Sequence, residues 1–348
     1  MKMTFRWYGP EDRVPLQHIR QIPGVGGIVS AVYDIPVGEA WTEASVARVA
    51  AAIDAAGLRF AVVESIPVHE SIKLGAADRD RYIDQWCESL RQVGHMGVPV
   101  VCYNFMPVFD WMRTDLAHPM ADGATTLIFR DEALARIDLR QGTGELPGWS
   151  MAYDAPTLQQ LFAQWRAVSA EQLWEHLGYF LERVVPVAES VNVKLAMHPD
   201  DPPWSIFGLP RIITDRPALR RLLSLVDRPA NGLTFCTGSL GSHEANDLPA
   251  MVDEFAGQGR IHFMHCRNVK RTGEAEGRGF DEVAHPSAFG DVDMRGVLQA
   301  LARHGYTGPM RPDHGRMIWG ETGRPGYGLH DRALGAMYLQ GLWEGVTA

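Results

Sequence analysis

At 348 residues with 46% hydrophobic side chains, the chain can bury a large core as one big α/β domain or as two ordinary ones. Its formal net charge of −9 argues against a surface that binds nucleic acid through phosphate contacts, while leaving room for a local basic pocket that takes a small anion. No signal-peptide core or membrane-length apolar run is present, and Cys87, Cys102, Cys236 and Cys266 show no C-x-x-C or secreted-disulfide spacing. A cytoplasmic protein with no nucleic-acid or membrane partner is therefore expected.

Residues 5–8, aromatic and stopped by Gly9-Pro10, predict a first strand, and the β-branched run 28–33 predicts a second. Gly24-Val25-Gly26-Gly27 precedes that strand and opens no helix, so it predicts a tight turn and not a phosphate loop. Thr42 at an N-cap, the period of Val46, Val49, Ala50 and Ile53, and a stop at Gly57 predict a helix. Residues 60–64 and 98–104 read as strands either side of a helix through Tyr82, Ile83, Trp86 and Leu90. From about 106 to 156 the periodicity is lost, which predicts a long loop inserted after the fourth strand, an active-site loop or lid. A helix over 169–190 restores the order. Strands at 193–198, 232–236, 261–265 and 310–313 then alternate with helices near 217–226, 248–255 and 294–304, before a last helix near 331–343.

Eight strands alternating with helices, with no composition break, predict a single (β/α)8 TIM barrel over residues 1–348; a doubly wound sheet is the alternative. Active sites of such barrels lie at the C-terminal ends of the strands. Four predicted strands end in His198, Cys236, His265 and Asp313. Each alone has an ordinary structural explanation, but four metal-competent strand ends together predict a metal site. Two imidazoles, a thiolate and a carboxylate suit Zn, Fe(II), Mn(II) or Co(II), and the ligand set does not choose among them. Alternation along the strand sets His265 and Cys266 on opposite faces, and His262 opposite His265. Glu64 and Asn104 end the third and fourth strands, and Arg6, Arg267, Lys270 and Arg316 are cations for an anionic ligand. His314 and Tyr327 are the candidates for proton transfer.

Several longer motifs carry a resemblance. Tyr103-Asn104-Phe105-Met106-Pro107-Val108-Phe109-Asp110-Trp111, His198-Pro199-Asp200-Asp201-Pro202-Pro203-Trp204, Leu233-Thr234-Phe235-Cys236-Thr237-Gly238-Ser239-Leu240-Gly241 and Arg311-Pro312-Asp313-His314-Gly315-Arg316-Met317-Ile318-Trp319-Gly320 resemble the D-mannonate dehydratase family, as do the N-terminal run 3–9 and Arg267-Asn268-Val269-Lys270. The resemblance implies a sugar-isomerase-like barrel and a metal-dependent hydro-lyase. Such an enzyme converts D-mannonate, a small anionic sugar acid, to 2-dehydro-3-deoxy-D-gluconate in hexuronate and glucuronate breakdown. By position it implies metal ligands at His198, Cys236, His265 and Asp313, catalytic groups at His314 and Tyr327, and Mn2+ or Fe2+ as the ion. Arg6, Asn104, Lys270 and Arg316 are expected to face the substrate, and homo-oligomerisation is left open. Rival expectations are a metal-dependent sugar isomerase or epimerase, a phosphodiesterase acting on damaged DNA, and a non-catalytic sugar binder.

Overall fold

Strands form where β-branched and aromatic residues cluster between glycine or proline breaks. The computed structural model describes residues 1–134, 136–137, 154–272 and 278–348. In chain order its strands are β1 (Lys2–Arg6), β2 (Gly27–Ser30), β3 (Arg59–Glu64), β4 (Val100–Tyr103), β5 (Asp115–Pro119), β6 (Thr125–Arg130), β7 (Lys194–Met197), β8 (Asn231–Cys236), β9 (Ile261–Cys266), β10 (Asn268–Arg271), β11 (Gly279–Val283) and β12 (Pro309–Pro312). Eight of them close into a barrel in the order β1-β12-β9-β8-β7-β4-β3-β2, every neighbouring pair parallel. The expected (β/α)8 barrel is present, with helices such as Ala170–Ser190, Arg216–Leu225 and Met294–Arg303 packed on its outside. The helix Glu43–Ala55 starts and stops as its sequence predicts. Thr42 accepts from Ser45 N, and Gly57 takes a φ of +71°, which a side chain would disfavour.

Alternation along the barrel strands sorts their side chains into two populations. Val29, Val62, Val100, Cys102, Ala196 and Phe263 pack together as a small interior cluster, separate from the large core between barrel and helices. Two residues further along the same strands stand Glu64, His198 and His265, and the same parity puts Cys236 beyond Thr234 and Asp313 beyond Arg311. The barrel is thus apolar lower down and charged at its C-terminal rim. His198 and Asp313 lie one residue beyond their strands, yet they still extend the ladder: His198 N donates to Tyr103 O at 2.7 Å and Asp313 N to Cys266 O at 2.9 Å. Met264 and Cys266 point into the outer core.

The expected patternless loop over 106–156 needs correction. Its first part contains β5 and β6, a hairpin turning through Asp122-Gly123 with Gly123 at φ +85°. These strands join β10 and β11 in a second, antiparallel sheet ordered β10-β11-β6-β5. The rest of the expected lid falls largely on 135 and 138–153, outside the described residues. Among the described residues no helix is long and apolar enough to cross a membrane.

His262 points away from the barrel interior, with Nδ1 2.7 Å from Leu195 O. Gly232 makes room for it, since a Cβ there would come within 2.4 Å of the His262 ring. Burial, partly offset by the Leu195 carbonyl, pulls the His262 pKa down to about 4. The unfolded imidazole titrates near 6.5, so between those values the unfolded chain takes up a proton that the folded one refuses. Stability attributable to this group is complete above about pH 6.5 and falls by up to about 3 kcal/mol as the pH drops toward 4. His262→Gln in metal-free protein is expected to flatten the pH dependence of Tm in that window; an unchanged slope would rule this out.

Candidate active site at the C-terminal rim

Three rim side chains converge first. One donor atom from each of His198, Cys236 and His265 lies within 4.8 Å of the other two, and Cys236 and His265 are fully buried. Cys236 and His265 are register partners across β8 and β9, which brings them side by side. Asp313 adjoins both, its Oδ2 3.6 Å from Cys236 Sγ and its Oδ1 3.7 Å from His265 Nδ1. His198 Nδ1 sits 2.7 Å from Pro199 O. A carbonyl can only accept, so Nδ1 carries the hydrogen and Nε2 keeps its lone pair for a ligand.

The Cys236 sulfur faces donors: Ser239 Oγ at 3.1 Å, Ser239 N at 3.4 Å and Arg267 Nη2 at 3.8 Å. Burial would push the Asp313 carboxyl up, but Arg311, His314, Arg267 and His265 hold it well below the usual carboxylate range. His265 Nε2 makes no hydrogen bond of good geometry, and Glu64 Oε2 stands 3.2 Å from it. Two imidazoles, a thiol and an ionised carboxylate brought together in this way fit a divalent cation of borderline softness. A second group, Glu64, Cys102 and His265, shares one member with the first. It suits a cation less well. Burial pushes the Cys102 thiol well up, and Glu64 Oε1 already pairs with Arg311 Nη2 at 2.8 Å.

Next to this cluster stand the two expected proton-transfer groups. His314 Nε2 is 2.9 Å from the Tyr327 hydroxyl, and both residues are buried. Burial drives the Tyr327 phenol well above its ordinary pKa, so it holds its proton. The Tyr327 ring packs edge-on against Tyr8 at 4.9 Å, and Trp111 lies 5.0 Å from the His314 ring.

The four residues expected to meet substrate are distributed differently. Arg6 lies inside the rim, its guanidinium donating to Glu64 O and stacked 4.6 Å from the Tyr8 ring centre. The amide of Asn104 is engaged by its own loop: Nδ2 donates to Asp110 Oδ1 at 3.0 Å, and Oδ1 accepts from Met106 N at 3.1 Å. Lys270 is exposed on β10 and pairs with Asp291 at 2.9 Å. Arg316 is half-buried between Asp331 at 2.8 Å and Asp122 at 2.9 Å.

Sequence reasoning overlooked Glu282 and Arg113 and gave Arg311 no role of its own. Arg311 is fully buried and reaches Glu64 Oε1 and Asp313 Oδ1, each at 2.8 Å. Its position two residues before Asp313, on the same strand face, was a usable signal. Glu282 comes from β11 of the second sheet, and both its oxygens lie 2.9 Å from His314 Nδ1.

The closed sheet of eight parallel strands defines a TIM barrel, with cation-competent residues at its C-terminal rim. A xylose isomerase-like TIM barrel protein from Mycobacterium smegmatis, solved in complex with magnesium, shares this fold with a TM-score of 0.57 at 15% identity, covering 96% of this chain and 88% of that one. The family model for D-mannonate dehydratase (UxuA) matches residues 1–348, and the chain belongs to that family. It is 53% identical over 348 residues to mannonate dehydratase 2 of Halalkalibacterium halodurans, covering 100% of both chains. The crystal structure of mannonate dehydratase from Streptococcus suis serotype 2 superposes with a TM-score of 0.92 at 48% identity, covering 99% of this chain and 95% of that one.

Proposed function

We propose that this chain is a metal-dependent hydro-lyase that removes water from D-mannonate to give 2-dehydro-3-deoxy-D-gluconate in hexuronate breakdown in the cytoplasm. The observation that carries the mechanism is the 2.9 Å contact between Tyr327 and His314, the residue that follows Asp313 in the chain. His198, Cys236, His265 and Asp313 would hold the cation; their mixed nitrogen, sulfur and oxygen set suits several divalent metals, and the resemblance alone narrows these to Mn2+ or Fe2+. When bound, a divalent cation supplies Lewis acidity that stabilises the negative charge developing as the C2 proton leaves, worth several kcal/mol in general.

The proton transfers belong to the chain's own residues. His314 Nε2 offers a lone pair and takes the C2 proton. Tyr327, its phenol kept protonated by burial, gives its proton to the C3 hydroxyl, which departs as water. The enol so formed becomes the 2-keto acid as its C2 hydroxyl gives up a proton and C3 gains one. Arg6 brings positive charge to the rim for an anionic substrate, and Trp111 packs 5.0 Å from the ring of the buried His314.

The test is to strip the protein with chelator, reload it separately with Mn, Fe, Zn and Mg, and assay a panel of aldonates for release of a 2-keto-3-deoxy acid. Turnover of D-mannonate, absent after stripping and restored best by Mn or Fe, is the expected result. No keto-deoxy acid from any aldonate with any metal would overturn the assignment, and an isomer that keeps its hydroxyl would point to isomerisation.

A further inference from the structure

Glu282 lies outside the barrel, on β11 of the small antiparallel sheet, yet it is only 2% exposed and reaches the rim. The sheet fixes its backbone. Glu282 pairs with Val269 across β10, and Thr126 Oγ1, from β6, donates to its carbonyl at 2.6 Å. Its side chain receives Arg113 Nε at 2.8 Å, Arg113 Nη2 at 2.6 Å and Arg267 Nη1 at 3.0 Å. Asp201 completes the group, taking Arg113 Nη1 at 2.8 Å, Arg113 Nη2 at 3.0 Å and Arg267 Nη2 at 2.6 Å. Two guanidinium groups and two carboxylates thus balance one another in a buried square. A pairing this complete is what a buried ionised carboxylate requires.

We infer that Glu282 is a positioning residue for the proposed dehydration: it pins the His314 imidazole with its hydrogen on Nδ1 and its lone pair on Nε2, aimed at Tyr327. An ionised carboxylate offers lone pairs only, and both its oxygens stand 2.9 Å from Nδ1. A bare Nδ1 there would set lone pair against lone pair. Arg267 Nη1 is also 2.9 Å from Nδ1, but its two hydrogens have carboxylate oxygens to go to, Glu282 Oε1 at 3.0 Å and Asp313 Oδ2 at 3.5 Å, so it does not call for the opposite tautomer. With Nδ1 protonated, Nε2 is left to accept from the Tyr327 hydroxyl at 2.9 Å. On this assignment the second sheet carries a carboxylate to a ring that the barrel alone leaves free to rotate or change tautomer.

The inference rests on the proposed reaction, and its test separates the two. In full-length, metal-loaded protein, Glu282→Gln replaces the carboxylate by an amide that can donate as well as accept, so the tautomer is no longer fixed. Removing such an outer partner typically costs about 10- to 100-fold. The expected result is a fall of that size in kcat for D-mannonate, with KM and bound metal per chain close to wild type. A kcat near the wild-type value, or a loss that disappears once rates are divided by folded, metal-loaded protein, would overturn the inference. The second readout needs neither a variant at 282 nor turnover. In 15N-histidine-labelled wild type loaded with diamagnetic Zn or Mg, the ring pattern absent from His314→Gln should show hydrogen on Nδ1 and a bare Nε2; hydrogen on Nε2 would overturn it. An inactive wild type counts against the dehydratase assignment alone, because the tautomer is read without substrate.

Discussion

Replacing His314 by alanine is expected to lower kcat for D-mannonate dehydration by about 100- to 10,000-fold, the range general acid-base groups ordinarily supply. Tyr327→Phe should fall in the same range. The two groups meet through a single hydrogen bond, His314 Nε2 to the Tyr327 hydroxyl at 2.9 Å, so they act as a unit. Groups that act as a unit are strongly non-additive, and the double variant should be little worse than the poorer single one. Tyr327→Phe removes only an oxygen and keeps the ring against Tyr8, which makes it the cleaner probe of the two. Steady-state kinetics with metal content measured alongside check both variants. Near-normal turnover in both would remove these residues from the proton transfers.

The sequence made the barrel readable because parallel strands are continuous β-branched runs closed by glycine, proline or a polar residue, and because side-chain parity is a local property. Val62 and Glu64, Ala196 and His198, and Phe263 and His265 share faces by simple alternation, so the convergence of rim residues followed once a barrel was assumed. The second sheet was harder to see. Its outer hairpin carried a local signal, Asp122-Gly123 at the turn, but β10 and β11 pair with it from the far half of the chain. Glu282 and Arg113 look like ordinary surface charges in sequence. They become a buried pair only across a separation of 169 residues, and Arg113 meets Asp201 across 88. No local pattern encodes such a partner. The fates of Lys270 and Arg316 were hidden for the same reason: Asp291, Asp122 and Asp331 engage them, and only the fold brings those carboxylates near.

Loss of a cation donor is expected to have the other large effect. Cys236→Ala removes the sulfur that Ser239 N and Oγ face, leaving two imidazoles and one carboxylate. Asp313→Asn keeps the shape but removes a negative charge that Arg311 and Arg267 help to hold, and leaves those guanidinium groups short of a partner. Changing groups that merely support ligands costs about 10- to 100-fold in metal affinity, so loss of a donor itself should cost more than about 100-fold. Activity should fall with it. Stability should change less for Asp313→Asn at low pH than at neutrality, because wild-type Asp313 stays ionised well below the usual carboxylate range and its contribution disappears only as the pH falls through that depressed value.

Everything proposed about the chemistry requires four residues from separate strand ends to share one ion. Titration of metal-free wild type, Cys236→Ala and Asp313→Asn with Mn(II), read as bound metal per chain, addresses that requirement directly. One ion per wild-type chain, with binding to both variants weakened more than about 100-fold, is the expected outcome. Wild-type affinity and stoichiometry in either variant would show that the ion, if one binds, is held elsewhere.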